Sequence, residues 1–279
     1  MLQQPRHLPR SGTLSVLSSL IALGYALARF LDLPTRLVET SLFGAEVTFH
    51  VSGYTIALLM VAAIIITGCD TLIRVHPRLR EDAVGITPAI HCIMPGMAAF
   101  VVGMLLRSSP MGLMWLFVLA LGVTFLTLLL ITEYVVVDPS DGGFRSASLV
   151  LKMLSYGTSL ILSSWLLGND QVAVFSAPIT VVIFGVIAFR ILVLHGASYR
   201  QAAINGSAIG LVLGECSWVM GNWTLVPVGA GMLLLTIFHL ATGVVQNSLN
   251  QGIPRRILLE YGVIGVIAFG LVVKFALLG

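Results

Sequence analysis

Charge is what this chain has least of. Asp, Glu, Lys and Arg make up 10% of its residues, against 57% for the apolar set that includes Tyr and Cys. A soluble domain carries about 25% charged residues, so the scarcity excludes an ordinary solvated surface. Cysteine is rarer still. Cys69, Cys92 and Cys216 all fall in apolar runs at no motif spacing, which excludes a disulfide framework and leaves three small buried hydrophobes. No low-complexity stretch and no linker long enough to separate domains is present, so residues 1–279 read as a single membrane domain. A phosphate-binding P-loop, an HExxH pair and a Gly-x-Ser-x-Gly elbow are also absent, and with them the commonest routes to nucleotide, zinc-protease and serine-hydrolase chemistry. The net charge of +3 is dispersed along the flanks of apolar runs, which argues against a nucleic-acid partner.

What is there is a succession of apolar runs, and the mean hydropathy is +1.01. Runs of about 20 residues are long enough to cross a bilayer, and nine occur, at 13–32, 52–72, 86–106, 111–132, 147–167, 171–196, 200–221, 224–246 and 256–277. The expected fold is therefore all-α, a polytopic transmembrane bundle of about nine spans. Arg6, His7 and Arg10 before Leu14–Gly24 and Ala26-Leu27-Ala28 approach the pattern of a cleaved signal, but the run is long enough to be retained as a first helix. A cytoplasmic N-terminus places Arg74, Arg78, Arg80, Arg145, Lys152, Arg200, Arg255 and Arg256 at inner ends, and leaves Arg29, Arg36, Arg107 and Lys274 outside. That asymmetry predicts N-in and C-out, in a bacterial or archaeal cytoplasmic membrane. Residues 33–50 form the one sizeable outer loop.

Several features predict internal geometry. Gly206, Gly210 and Gly214 recur every four residues, a stripe that lets a neighbouring backbone approach closely. Pro95, Pro178 and Pro227 each remove a backbone donor and are expected to bend their helices. Matching depths across successive hairpins sets Arg190, Ser207 and His239 in one layer, on the order of 10 Å inside the inner edge. Glu260 is about one turn shallower. These four, with Glu215, are the candidate substrate-binding residues. A guanidinium is a planar fork for phosphate or carboxylate, and an imidazole relays protons near neutral pH. Ser207 with His239 would make a nucleophile and base if they touch. The competing structural account has Arg190 snorkelling while Ser207 and His239 bond carbonyls between helices.

A second depth match sets Asp70 opposite His91 and Cys69 opposite Cys92. An Asp70–His91 hydrogen bond is expected there and a metal is not, because neighbours on a helix diverge by about 100°. Glu215, the deepest acid, suits a proton or cation pathway, or a packing bond to the next helix. Glu133 and Asp138 read as solvated flanks. Nine spans at this length is also the plan of intramembrane prenyltransferases. However, the corresponding loops, Asp70-Thr-Leu-Ile-Arg-Val-His-Pro and His195-Gly-Ala-Ser-Tyr-Arg, lack the aspartates that hold magnesium diphosphate, so that resemblance is set aside.

Three functions follow as alternatives. The favoured one is a carrier or binding protein for a lipid-like or small amphipathic substrate, acting at the inner-leaflet polar layer. The others are an intramembrane enzyme on a lipid-linked substrate, and a non-catalytic subunit of a membrane complex. The expected partners are membrane lipids, with a protein complex or homo-oligomer next. The residues identify no cofactor, and the balance leans away from an enzyme.

Overall fold

In a computed structural model of the chain, the described residues are 9–30, 36–42, 45–79, 87–169, 175–221, 223, 226–251 and scattered positions between 262 and 274. Eight helices among them are long and apolar enough to cross a membrane, and each coincides with an expected run to within about a turn. The ninth run, 256–277, and with it Glu260, lies largely outside the described residues. The chain is a multi-pass helical membrane protein. Its exposed side chains say the same: Leu113, Phe117, Leu121, Val182 and Leu211 are all more than half exposed, as lipid-facing positions are.

The helices pack as two compact units, residues 1–147 and 148–279. In the first, α1 (Ser11–Phe30) is followed by an antiparallel hairpin of β1 (Arg36–Leu42) and β2 (Ala45–Val51). The expected outer loop is thus a paired ribbon, with Arg36 opposite Val51 and Leu42 opposite Ala45. Then come α2 (Gly53–Arg74), a short α3 (Thr87–His91), α4 (Ile93–Ser108) and α5 (Leu113–Val136). The second unit holds α6 (Phe144–Leu167, which starts just before the boundary), α7 (Ser176–Leu194), α8 (Tyr199–Gly221) and α9 (Pro227–Gln251).

The first unit is closed around α4. Tyr25 on α1 donates its hydroxyl to the Ala99 carbonyl at 2.6 Å, and Tyr54 on α2 donates to the Gly103 carbonyl at 2.7 Å. Both bonds satisfy backbone acceptors in a helix that supplies few polar side chains. Ile65, Met94, Ala98, Leu126 and Leu129 are fully buried between these helices.

In the second unit α7 and α8 touch backbone to backbone. A Cβ on Gly210 would lie 2.5 Å from the Val181 carbonyl oxygen and 3.0 Å from the Gly185 Cα, and one on Gly206 would lie 2.9 Å from the Gly185 oxygen. Gly214 likewise packs on Val181. A glycine stripe on one helix and Gly185 on the other replace side-chain interdigitation with direct contact.

The prolines require a correction. Only Pro95 sits at a break. Its missing N–H leaves the His91 carbonyl without its helical partner, and the helix is interrupted at Cys92 between α3 and α4. Pro178 and Pro227 lie in the first turns of α7 and α9, where backbone N–H groups have no helical acceptor to lose. They start helices and bend none.

Candidate functional site

The expected layer of Arg190, Ser207 and His239 is separated by orientation. Arg190, on the last turn of α7, is 2% exposed. Ser207 is exposed on α8 and makes no hydrogen bond among the described residues, His239 included, so the two form no nucleophile–base pair. His239 is exposed on α9 and its Nδ1 lies 3.2 Å from the Tyr156 hydroxyl of α6. Glu215 is exposed as well and makes no bond to α9. It borders an apolar groove of about 550 Å³ with Cys216, Trp223 and Leu233.

The polar contacts of the second unit gather on α6 and α9 instead. The Tyr156 hydroxyl is shared between His239 and the Thr242 Oγ1, which is 3.4 Å away. Lys152, one turn earlier on α6, reaches the Gln246 Oε1 at 3.4 Å and lies 6.0 Å from the Tyr156 ring centre. It has no acidic partner among the described residues. Two donors are buried without an acceptor among the described residues: Nε2 of the same Gln246, and Ser148 Oγ, one turn before Lys152 on α6. His195, just beyond α7, places its Nδ1 2.8 Å from the Ile191 carbonyl. Its ring edge is exposed. The packed chain around the rest of the ring and the nearby Lys152 charge hold its pKa below the ordinary imidazole value, against the raising effect of that carbonyl.

Farther along the same face of α6 the hydroxyls are satisfied locally. Ser155, Ser159 and Ser163 each donate to the carbonyl four residues back at 2.8 Å. There the two helices come close, because Gly231 of α9 lies directly against Ser164. Toward the other end they are bridged by Tyr156 to Thr242 and His239, and by Lys152 to Gln246.

The first unit holds a different polar centre. Glu133 is fully buried and its Oε2 lies 2.9 Å from His91 Nδ1. Asp70 instead pairs with the half-exposed Arg74 on its own helix at 2.7 Å. The expected Asp70–His91 bond is replaced by His91–Glu133, and Glu133 is no solvated flank. The His91 carbonyl orphaned by Pro95 accepts from the Cys69 thiol at 3.5 Å, and Cys92 donates to the Pro88 carbonyl at 3.3 Å. Below this, His76 packs edge-on against Tyr134 with ring centres 4.5 Å apart. Asp138 pairs with Arg78 and accepts from the Ser140 hydroxyl at 2.6 Å and its N–H at 2.9 Å. The Ser140 bonds foremost, aided by Arg78, hold the Asp138 carboxyl below the usual range. Among the described residues no three His, Cys, Asp or Glu side chains converge as a metal site would require.

With both centres in view, sequence comparison gives a family and no chemistry. The chain matches DUF5656, a family of proteins of unknown function, over residues 33–275. It belongs to that family. Neither the curated proteins nor the solved structures contain a match. For this family member the side chains alone speak for activity. The first centre sets a carboxylate on an imidazole and a thiol on an orphaned carbonyl. Among the described residues the α6–α9 seam holds a cation without an acid and two buried donors without an acceptor.

Two residues central to these sites, Glu133 and Lys152, were not singled out by sequence reasoning. The Lys152 signal was present: Ser148, Lys152, Ser155, Ser159 and Ser163 follow one helical face.

Proposed function

We propose that the protein binds or carries a lipid-like amphiphile whose polar head enters the α6–α9 seam. The observation that carries this reading is the imidazole of His239, exposed on a membrane-spanning helix and bonded inward to Tyr156. A polar ring turned outward at that depth is costly, and a ligand head lying between it and Lys152 offsets the cost. On the N-in orientation proposed from the flanking charges, the seam opens to the cytoplasmic leaflet. The residues carrying the reading shift accordingly, from Arg190, Ser207 and Glu260 to His239, Tyr156 and Lys152.

The test is native mass spectrometry of protein extracted in mild detergent, with bound lipids identified. Wild type should retain one lipid class at defined stoichiometry, and His239→Leu with Tyr156→Phe should lose it while melting normally. A wild-type lipid profile equal to the bulk membrane would overturn the reading.

A second reading, that of a non-catalytic subunit, draws on Glu215. A carboxyl exposed on membrane-spanning α8 beside an apolar groove and a 59%-exposed Trp218 suits a partner helix bearing a cation. Co-purification of a stoichiometric partner lost in Glu215→Gln is its test.

A further inference from the structure

We infer that the head group recognised in the α6–α9 seam is a phosphate, gripped by Lys152 Nζ, Gln246 Nε2 and Ser148 Oγ. This rests on the amphiphile-binding reading above and names its ligand class.

The argument is a count of donors and acceptors. Lys152 brings three N–H donors and a full positive charge. It has one neutral acceptor at 3.4 Å and no carboxylate among the described residues. Gln246 Nε2 and Ser148 Oγ are buried and donate to nothing. Thr242 donates to the Phe238 carbonyl at 2.8 Å and Tyr156 is held between Thr242 and His239. A site with a surplus of donors and a fixed positive charge calls for an acceptor-only anion.

Geometry selects phosphate over carboxylate. Ser148 and Lys152 stand one turn apart on α6, and Gln246 approaches from α9. Donors drawn from two helices would suit the splayed oxygens of a tetrahedral phosphate better than the two coplanar oxygens of a carboxylate. Depth agrees. The 24 residues of α6 extend for about 36 Å, some 6 Å more than a hydrocarbon core. With the excess shared between the helix ends, Ser148, four residues into α6, lies about 3 Å inside the hydrocarbon edge. Gln246, five residues before the end of α9, lies about 4 Å inside, a level just beneath the lipid phosphates.

The experiment titrates delipidated protein in neutral detergent with dioleoyl phosphatidic acid, dioleoyl glycerol and inorganic phosphate, read by native mass spectrometry. Phosphatidic acid should bind at least tenfold more tightly than the glycerol lipid. Lys152→Gln and Gln246→Leu should each abolish most of that preference, and Lys152→Arg should keep it. Competition by millimolar inorganic phosphate assigns recognition to the phosphate group alone, whereas its failure to compete assigns it to the whole lipid. Both support the inference. Equal binding of the two lipids, or unchanged preference in a folded Lys152→Gln protein, overturns it. If dioleoyl glycerol binds saturably and depends on His239, amphiphile binding survives while phosphate recognition fails. If no lipid binds saturably, both fall.

Discussion

Gly210→Ala is the sharpest test of how the second unit is held together. The added methyl would sit 2.5 Å from the Val181 carbonyl oxygen and 3.0 and 3.1 Å from the Gly185 Cα and N. All three are backbone atoms, so no side chain can swing aside, and α8 must retreat from α7 by roughly 0.7 Å to restore ordinary contact. A gap of that size forfeits about a third of each dispersion well. Applied to some 40–60 atom pairs at ~0.1–0.2 kcal/mol each, the loss is ~2–3 kcal/mol, within the ~1–3 kcal/mol usual for overpacking. Alanine also gains up to ~1 kcal/mol of helix propensity over glycine, which would blur the result. Gly157→Ala removes that ambiguity, because a Cβ there meets nothing within 4 Å. The difference between the two variants isolates the steric cost. At ~2–4 °C per kcal/mol, thermal unfolding in detergent followed by circular dichroism should separate their midpoints by roughly 5–10 °C, Gly210→Ala being lower. Equal midpoints would refute the backbone contact between α7 and α8.

Three further outcomes are expected. Glu133→Leu, which strips His91 of its buried partner, should cost ~3–5 kcal/mol, and the double variant His91→Phe/Glu133→Leu should recover part of that. A denaturant titration giving additive effects would exclude the pair as a unit. Cys69→Ala should cost ~1–2 kcal/mol by leaving the His91 carbonyl unsatisfied. In a Pro95→Ala background, where a helical N–H returns, it should cost less, and an equal cost in both would sever the link. Because the Asp138 carboxyl is held below its unfolded value, its contribution is complete above pH ~4 and is lost as pH falls through the lower folded value. Wild type should therefore lose more thermal stability than Asp138→Asn between pH 5 and pH 3. Parallel curves would show that the Arg78–Ser140 contacts contribute nothing.

The spans were legible because a bilayer demands about 20 apolar residues whatever lies beside them. Depth was legible too, since hairpins fix it. Orientation was harder, yet part of it was written in the glycine stripe. If Gly206, Gly210 and Gly214 face α7, then Ser207, Leu211 and Glu215, one residue on and about 100° round, must turn away from that contact. All three are exposed. The close-packing expectation and the expectation of an inward Ser207 were incompatible, and the spacing alone could have said so. Glu133 was not legible in this way. It continues a buried face through Gly122, Leu126, Leu129 and Leu130, but α5 is apolar all round, so nothing contrasts with that face to reveal it.

The two polar centres differ in what they leave over, and that difference decides where a ligand belongs. In the first unit the acid meets the imidazole, and both thiols donate to carbonyls near the Pro95 break. The buried acid of that centre is thus met by a partner inside the fold. In the second unit α6 and α9 touch where Gly231 meets Ser164. Lys152 lies 12 residues away along α6, about 18 Å, where bridging falls to Lys152, Tyr156 and Gln246 across a wider gap. A lysine could have been omitted from such a gap, and leucine would have filled it at less cost. A cation retained there with no acid among the described residues carries a stability penalty that a bound anion would recover. Binding should therefore be visible as stabilisation: phosphatidic acid should raise the wild-type midpoint and leave that of Lys152→Gln unmoved. A rise of the same size in both proteins would place the lipid elsewhere.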